Sequence, residues 1–470
     1  MINSSDITKL NSEEVLKLYK NYINPQQAKL YAGLSMLNEN VISAEGVKIQ
    51  LSSGKEITDF TGGLGVLNHG HNHPKIIEAR INFQEEKRME VTKVYLSPYV
   101  AALSKNIAEL FPGDLDISYF CNSGSEGIEG ALKMCHKSFS GSRDTVLSSN
   151  RSFHGKTLGA LSVSHASENT YLFPKIMKNF TYQFNDEKDL ERAVNESLNS
   201  RGESNLFALL IEPFSASSFS ESSNSFLKKA RDLSNRFDIP LVFDEIYTGF
   251  YKTGPLFSFM KTEVVPDIVV YSKSFGGGKS SISGFTATKK LFNNAYGNLD
   301  DALMHSTTYN AFGEETYSAL VAIEVAIEEN FQEKSKNIEK AFNLNLDRIK
   351  NDFPIISGYS GTGSLFGVCF DLKDLYGKLG KIINTSTKEK IEKVYIVAII
   401  DYLYKEHNYL TYFTDNQKMH LAIGPSLVID PVDVENFFSS FRSTLEQNQV
   451  KLFTNFVTRK GLGNIKLLFK

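Results

Sequence analysis

The sequence contains no tryptophan and has only three cysteines and 12 prolines among 470 residues. Three scattered cysteines, Cys121, Cys135 and Cys369, with no C-x-x-C pair, exclude a disulfide framework and read as core residues. Long hydrophobic runs are also missing. The longest, Val394-Tyr-Ile-Val-Ala-Ile-Ile400, falls well short of the ~18 residues that cross a bilayer, so no transmembrane segment is expected. Met1-Ile-Asn-Ser-Ser-Asp-Ile-Thr-Lys9 lacks the basic start and apolar stretch of a signal peptide, which points to a cytoplasmic protein. Nor does one sign of charge dominate. With 51 basic and 54 acidic residues there is no global field to draw nucleic acid or an anionic membrane. The exception is the last twenty residues, where Lys451, Arg459, Lys460, Lys466 and Lys470 stand without an acid; such a run usually covers a solvated surface.

What is present suffices for a large core. Apolar residues make up 41% and charged residues 22%, which excludes disorder, and the length suggests two or three domains at roughly 150 residues each. No repeat or linker interrupts the chain. In its middle, β-rich runs alternate with helical patterns: Leu206-Phe-Ala-Leu-Leu-Ile211, Ile239-Pro-Leu-Val-Phe243 and Asp267-Ile-Val-Val-Tyr-Ser272, with an amphipathic stretch from Ser225 to Ser234 between the first two. Strand-helix-strand units around a parallel sheet follow. From Ile323 to Lys350 the pattern is helical and charged, a long connection into a C-terminal part in which Leu365–Leu372 reads as a strand and Val432–Leu445 as a closing helix.

Three polar residues stand where the buried runs stop: Glu212, Asp244 and Lys273. Ligands of open α/β sheets bind outside the carboxyl ends of the strands, so a site is expected there. A lysine directly after Ile-Val-Val-Tyr-Ser either snorkels to water or meets a partner. Tyr119-Phe-Cys-Asn-Ser-Gly-Ser-Glu-Gly-Ile-Glu-Gly-Ala-Leu-Lys-Met-Cys135 reads as strand, turn and helix, with Ile128, Ala131, Leu132 and Cys135 on one face. Ser123-Gly-Ser-Glu126 then lies at a helix N-terminus, which serves either as an ordinary cap or as a phosphate site.

Further segments join these in order: Asp59-Phe-Thr-Gly-Gly-Leu-Gly-Val-Leu-Asn-His-Gly-His-Asn-His-Pro74, Asn122-Ser-Gly-Ser-Glu126, Phe153-His-Gly-Lys-Thr157, Glu212-Pro213, Asp244-Glu-Ile-Tyr-Thr-Gly249, Pro266-Asp-Ile-Val-Val-Tyr-Ser-Lys273 and His305-Ser-Thr-Thr-Tyr309. Each is weak alone; together, from about Ala44 to about Phe441, they resemble the class III aminotransferases, fold-type I enzymes dependent on pyridoxal phosphate. The resemblance implies a large domain with a mostly parallel seven-stranded sheet and a smaller α+β domain from both termini. On that pattern residues 1–70 contribute to the small domain, 71–330 form the large one, and 331–470 complete the small one with its basic tail. It implies amino-group transfer between a primary amine and a carbonyl compound. Lys273 would be the Schiff-base lysine and proton shuttle, and Asp244 the partner of the pyridinium nitrogen. Gly124 and Ser125 would bind the phosphate, Glu212 would line the cofactor site, and Phe153 and Ile246 would cover the two ring faces. Thr308 would reach the phosphate of the neighbouring subunit in a homodimer.

The sequence also departs from that family. Lys156 stands where many members carry an arginine for a substrate carboxylate, replacing a bidentate fork by a point charge. Ser217 replaces a gating glutamate, and His420 stands near the place of a second carboxylate-binding arginine. Losing all three removes the grip on a dicarboxylate and predicts an amine, aldehyde or ketone with a long or apolar body. Tyr247 replaces a glutamine that faces the cofactor's phenolic oxygen; retuning of the ring and simple filling of space both stay open.

Other readings compete. His69-x-His71-x-His73 could ligate a metal, but it matches a family turn that has none, and no metal is expected. Gly276-Gly-Gly-Lys-Ser280 resembles the end of an NTPase phosphate loop, yet Lys273 stands where that motif requires glycine. An epimerase or aminomutase would use the same lysine and aspartate, and a non-catalytic binding relative is a further alternative. The basic tail could dock a carrier domain or a membrane surface.

Overall fold

The computed structural model describes residues 1–32, 39–90, 94–165, 172–310, 312–378, 385–414 and 418–460. Seven strands form the central sheet, in the order Leu115–Cys121, Ser283–Thr288, Ile268–Tyr271, Leu241–Asp244, Leu206–Ile211, Thr145–Ser149, Lys178–Tyr182. All run parallel except Ser283–Thr288, which pairs antiparallel with both neighbours. The expected mostly parallel seven-stranded sheet is present. Position in it explains the residue patterns. Leu206–Ile211 is flanked on both edges and both faces, so all six residues are buried and no polar alternation survives. Lys178–Tyr182, at the sheet edge, alternates.

Successive residues feed two cores. One face sends Leu209, Ile211, Phe243, Val269 and Tyr271 into a cluster with Phe257, Phe259 and Phe275; the other sends Leu210, Val242, Ile268 and Val270 against Ile128, Leu132 and Cys135 of the helix Gly124–Ser138. The helix Asn224–Phe237 is capped by Ser223, whose Oγ accepts from the Phe226 amide, and stops at Asp238 in the left-handed region. It completes the strand-helix-strand unit read from the sequence.

The helical stretch expected over 323–350 is two helices, Gly313–Glu328 and Phe331–Asp352. The periodicity carries straight through, but Asn330 adopts φ 53°, and asparagine tolerates that reversal well enough to end one helix and begin the next. Beyond it, Ile356–Thr362, Leu365–Phe370, His420–Ile423 and Tyr412–Thr414 form an antiparallel sheet, and Pro431–Glu446 is the closing helix. A third sheet of Val41–Glu45, Lys48–Leu51 and Glu56–Asp59 is completed by Tyr409–Leu410, parallel to Glu56–Asp59. No helix of the described residues is long and apolar enough to cross a membrane. The last ten residues of the basic tail lie outside the described residues.

Candidate active site

Glu212, Asp244 and Lys273 follow or end three neighbouring strands and meet at one sheet edge, as their places in the sequence predict. Lys273 opens a short 3-10 turn with φ 50°, a strained conformation for a lysine. Its Nζ donates to the Leu64 carbonyl at 3.0 Å and lies 3.8 Å from the centre of the Tyr247 ring. Burial lowers its ammonium pKa to about 8, opposed by the carboxylates of Asp244 and Glu212. The Leu64 carbonyl is aimed by an unusual turn in which Gly62, Gly63, Leu64 and Gly65 all have positive φ. Glycine is required at Gly62, where a Cβ would sit 2.3 Å from the Gly424 carbonyl oxygen. Asp59 anchors the turn by accepting from the Thr61 amide at 2.7 Å, and Ser274 Oγ ties it to the lysine turn by donating to the Gly65 carbonyl at 2.7 Å.

Asp244 is buried. Its Oδ2 lies 2.7 Å from His154 Nδ1, and its Oδ1 accepts from the Ile246 amide at 3.0 Å. His154 Nε2 is buried without a protein partner. Glu212 accepts from the Phe153 amide at 3.1 Å; burial lifts its carboxyl to about 7, with His154 opposing and Asp244 adding to the rise. The strand Leu115–Cys121 delivers the helix N-terminus beside these groups. There a capping box pairs Ser123 with Glu126, so the ordinary cap is present, and Gly124 and Ser125 sit on the helix's first turn next to it. Gly124 lies against a predicted residue, since a Cβ on it would sit 2.8 Å from Ile246 Cδ1, and Ser125 lies against the segment that carries Phe153, since a Cβ on Gly155, at φ 137°, would sit 2.1 Å from Ser125 Oγ. Phe153, Glu212, Asp244, Ile246, Gly124, Ser125 and Lys273 are therefore neighbours.

The remaining predicted residues fall into two groups. Tyr247 shares a short hydroxyl-hydroxyl hydrogen bond with Tyr412 and packs with it against Phe214, Phe219, Leu365 and Ala422. Ser217 is buried in the hairpin between Phe214–Ser215 and Ser220–Glu221. His420, also buried, has its ring 5.6 Å from that of Phe219, and burial pushes its pKa down to about 4, so it carries no charge near neutrality. Lys156 and Thr308 are exposed; Thr308 lies in a loop where the Tyr309 carbonyl accepts from Asn122 of the same chain at 3.3 Å.

Sequence reasoning passed over His154, the Leu64 carbonyl, Tyr412 and Lys252. Lys252 is fully buried. Its Nζ donates to the carbonyls of Gly424 at 3.1 Å and Pro425 at 2.8 Å, and burial lowers its pKa to about 7. Among the described residues no carboxylate pairs with it within salt-bridge distance. Its folded pKa lies below the ordinary 10.5, so between pH 7 and 10.5 the unfolded chain takes up the proton more readily and stability rises with pH. This group contributes up to about 1.4 kcal/mol per pH unit in that window. Lys252→Met is expected to flatten the slope of unfolding free energy against pH by a comparable amount; chemical denaturation at several pH values measures it, and an unchanged slope refutes it.

The three histidines of the His69-x-His71-x-His73 run go to different partners: His69 Nε2 to the Ala322 carbonyl at 2.8 Å, His71 to Asp59 at 3.0 Å and His73 to Glu329 at 2.9 Å. Among the described residues no cluster could hold a metal. The glycine run after Lys273 packs on apolar side chains; a Cβ on Gly277 would meet Ile76 at 2.4 Å.

Comparison with known proteins bears on this arrangement. Residues 33–390 match the model of the class-III aminotransferases. The chain is 25% identical to the aminotransferase PigE of Serratia sp. (strain ATCC 39006) over 93% of its own length, and it spans 54% of that longer relative. Its fold is shared with a transaminase from the marine bacterium Virgibacillus (TM-score 0.81, 19% identity, 94% and 99% of the two chains covered). It is likewise shared with the ornithine aminotransferase of Toxoplasma gondii ME49 (TM-score 0.78, 22% identity, 94% and 96% covered). A further structure of the Toxoplasma gondii enzyme has pyridoxal phosphate at partial occupancy in its active site (TM-score 0.75, 20% identity, 96% of each chain covered). With the family model spanning most of its length, the chain belongs to the class-III aminotransferases.

Proposed function

We propose that the protein is a pyridoxal-phosphate-dependent aminotransferase that moves an amino group between a primary amine and an aldehyde or ketone other than a dicarboxylate. The observation that carries this is the meeting of the Lys273 amine, the Asp244–His154 pair and the small-residue cradle of Gly124, Ser125 and Gly155 at one sheet edge. These residues fit the cofactor. A cradle in which a Cβ on Gly124 or Gly155 would collide leaves backbone N–H groups at a helix N-terminus for a phosphate, and a buried carboxylate suits a protonated ring nitrogen. When bound, pyridoxal phosphate supplies the aldehyde that carries the amino group and the electron sink that makes the substrate Cα–H acidic. Lys273 supplies the amine that attaches the cofactor and, once free, carries the proton, for which a pKa of about 8 is well matched. His154 orients Asp244, Phe153 and Ile246 cover the ring faces, and Glu212 carries or releases a proton near neutrality.

The substrate's far end meets aromatic rings where the resemblance implies cations. His420 is neutral behind Phe219, and Ser217 lies within a closed hairpin. We place the substrate's body against Tyr247 and Tyr412, the half-buried members of the cluster that Phe214 and Phe219 back from the core, with Lys156 at the rim. Steady-state kinetics with glutamate, ornithine, diamines and long-chain aldehydes test this: low kcat/KM for 2-oxoglutarate and glutamate beside efficient use of an apolar carbonyl is expected, and ordinary turnover of glutamate and ornithine overturns it. Accumulation of pyridoxamine phosphate with a donor, and a requirement for a second carbonyl compound, separate transfer from epimerisation or amino-group migration. A second copy of the chain would bring Thr308 to the phosphate, and Leu299, Leu303, Met304 and Tyr309, all exposed around it, give such a copy an apolar surface to cover. The free thiols Cys121, Cys135 and Cys369 accord with a reducing compartment, the cytoplasm.

A further inference from the structure

We propose that the Tyr247 ring and the Leu64 carbonyl form a seat for the Lys273 amine whenever that amine is not bonded to the cofactor, with Tyr412 as the positioning residue that fixes the ring. The proposal rests on Lys273 being the cofactor lysine. Tyr247 directs its hydroxyl away to Tyr412, so the face of its ring, not its oxygen, is what Lys273 meets, 3.8 Å from Nζ to the ring centre. A π face attracts an ammonium. The opposite contact is the Leu64 carbonyl at 3.0 Å.

Two features show that this seat is built by the fold. A Cβ on Gly65 would lie 3.0 Å from Tyr247 Cδ2 and 3.4 Å from Lys273 Cδ, so a glycine lets turn, ring and lysine stem pack together. Leu64, a residue with no preference for that region, is held at φ 58° with its side chain exposed, a cost that goes with aiming its carbonyl at the amine. The charged groups around the amine are Asp244 and Glu212, which favour the ammonium, and Lys252 behind the same turn, which opposes it. Without the seat a released amine would be drawn to Asp244, the group meant for the cofactor. With it, the amine waits beside the reacting centre. Tyr247 in place of glutamine is thereby neither a filler nor a contact to the cofactor's phenolic oxygen.

The test is the pH dependence of Lys273 acylation, read by peptide mass spectrometry on the full chain without cofactor and again saturated with pyridoxamine phosphate, which leaves the lysine unbonded. The wild-type midpoint without cofactor is expected near 8. Tyr247→Leu removes the ring's attraction for the ammonium and is expected to lower the midpoint by about one pH unit. Tyr247→Phe keeps the ring but loses the same hydroxyl-hydroxyl bond that Tyr412→Phe removes, so it should lower the midpoint by less than leucine does, and a trifluorinated phenylalanine at 247, almost identical in shape but with a weakened π face, should lower it further even if the leucine variant fails to fold. Tyr412→Phe should shift it in the same direction by less; no shift removes Tyr412 from the proposal. An unmoved midpoint with both leucine and the fluorinated ring overturns the seat itself. Borohydride reduction in the presence of pyridoxal phosphate separates the two readings: a tag on a residue other than Lys273 overturns the cofactor assignment, whereas a tag on Lys273 with an unmoved midpoint overturns the seat alone.

Discussion

Lys273→Ala is expected to lower amino-group transfer on the order of 10³-fold or more and to abolish borohydride-stable attachment of the cofactor. On the proposed reading the loss combines two roles of one amine, attachment and proton carriage, and among the described residues no neighbour is placed to substitute for it. Lys252, close enough to feel the charge of Lys273, is committed to the carbonyls of Gly424 and Pro425 and lies behind the glycine turn. The fold should survive. Lys273 contributes one hydrogen bond to Leu64 and a ring contact, and its left-handed backbone conformation is no harder for alanine than for lysine. Steady-state kinetics, reduction with borohydride and a thermal melt on one preparation check all three expectations. Transfer at the wild-type rate, or a tag still attached to the chain, sinks the assignment.

Asp244→Asn is expected to lower kcat by about 10²- to 10³-fold while leaving the melting temperature within a few degrees of wild type. Asparagine keeps the shape and can still meet His154 and the Ile246 amide, so the contacts at 2.7 and 3.0 Å have replacements. What is lost is the negative charge in a buried setting, where a fixed charge acts far more strongly than in water. The same charge helps to hold the Lys273 ammonium, so the lysine's midpoint should fall below 8 in this variant. A variant that transfers amino groups at the wild-type rate would show that Asp244 only props up His154.

Glu212, Asp244 and Lys273 were legible because each interrupts or follows an apolar run that only a fully buried strand explains. The helix Gly124–Ser138 was legible from its cap and its buried face. His154 was harder to see. It stands inside the quoted Phe153-His-Gly-Lys-Thr157 segment, but its partner lies 90 positions away, and a single buried histidine has no periodic signature. Tyr412 lies on a strand of three residues, too short to alternate visibly. The Leu64 contact uses a backbone carbonyl, which every residue possesses; only the run of glycines around it hinted at positive φ. Lys252 reads as an ordinary surface lysine until the C-terminal strand is placed over it. The break at Asn330 was hidden because apolar spacing persists on both sides.

The sheet of Glu56–Asp59 has a consequence for biogenesis. It is finished by Tyr409–Leu410, and Lys55 Nζ reaches the carbonyl of Tyr404, 349 positions downstream. During synthesis, the early segment that carries the glycine turn therefore waits, with an open edge, until Tyr409–Leu410 has left the ribosome. Loop closure over such a span is slow, and an unpaired edge invites association with other nascent chains. Assembly of this sheet should accordingly be governed by the arrival of residues 404–410, with chaperone demand concentrated before that moment.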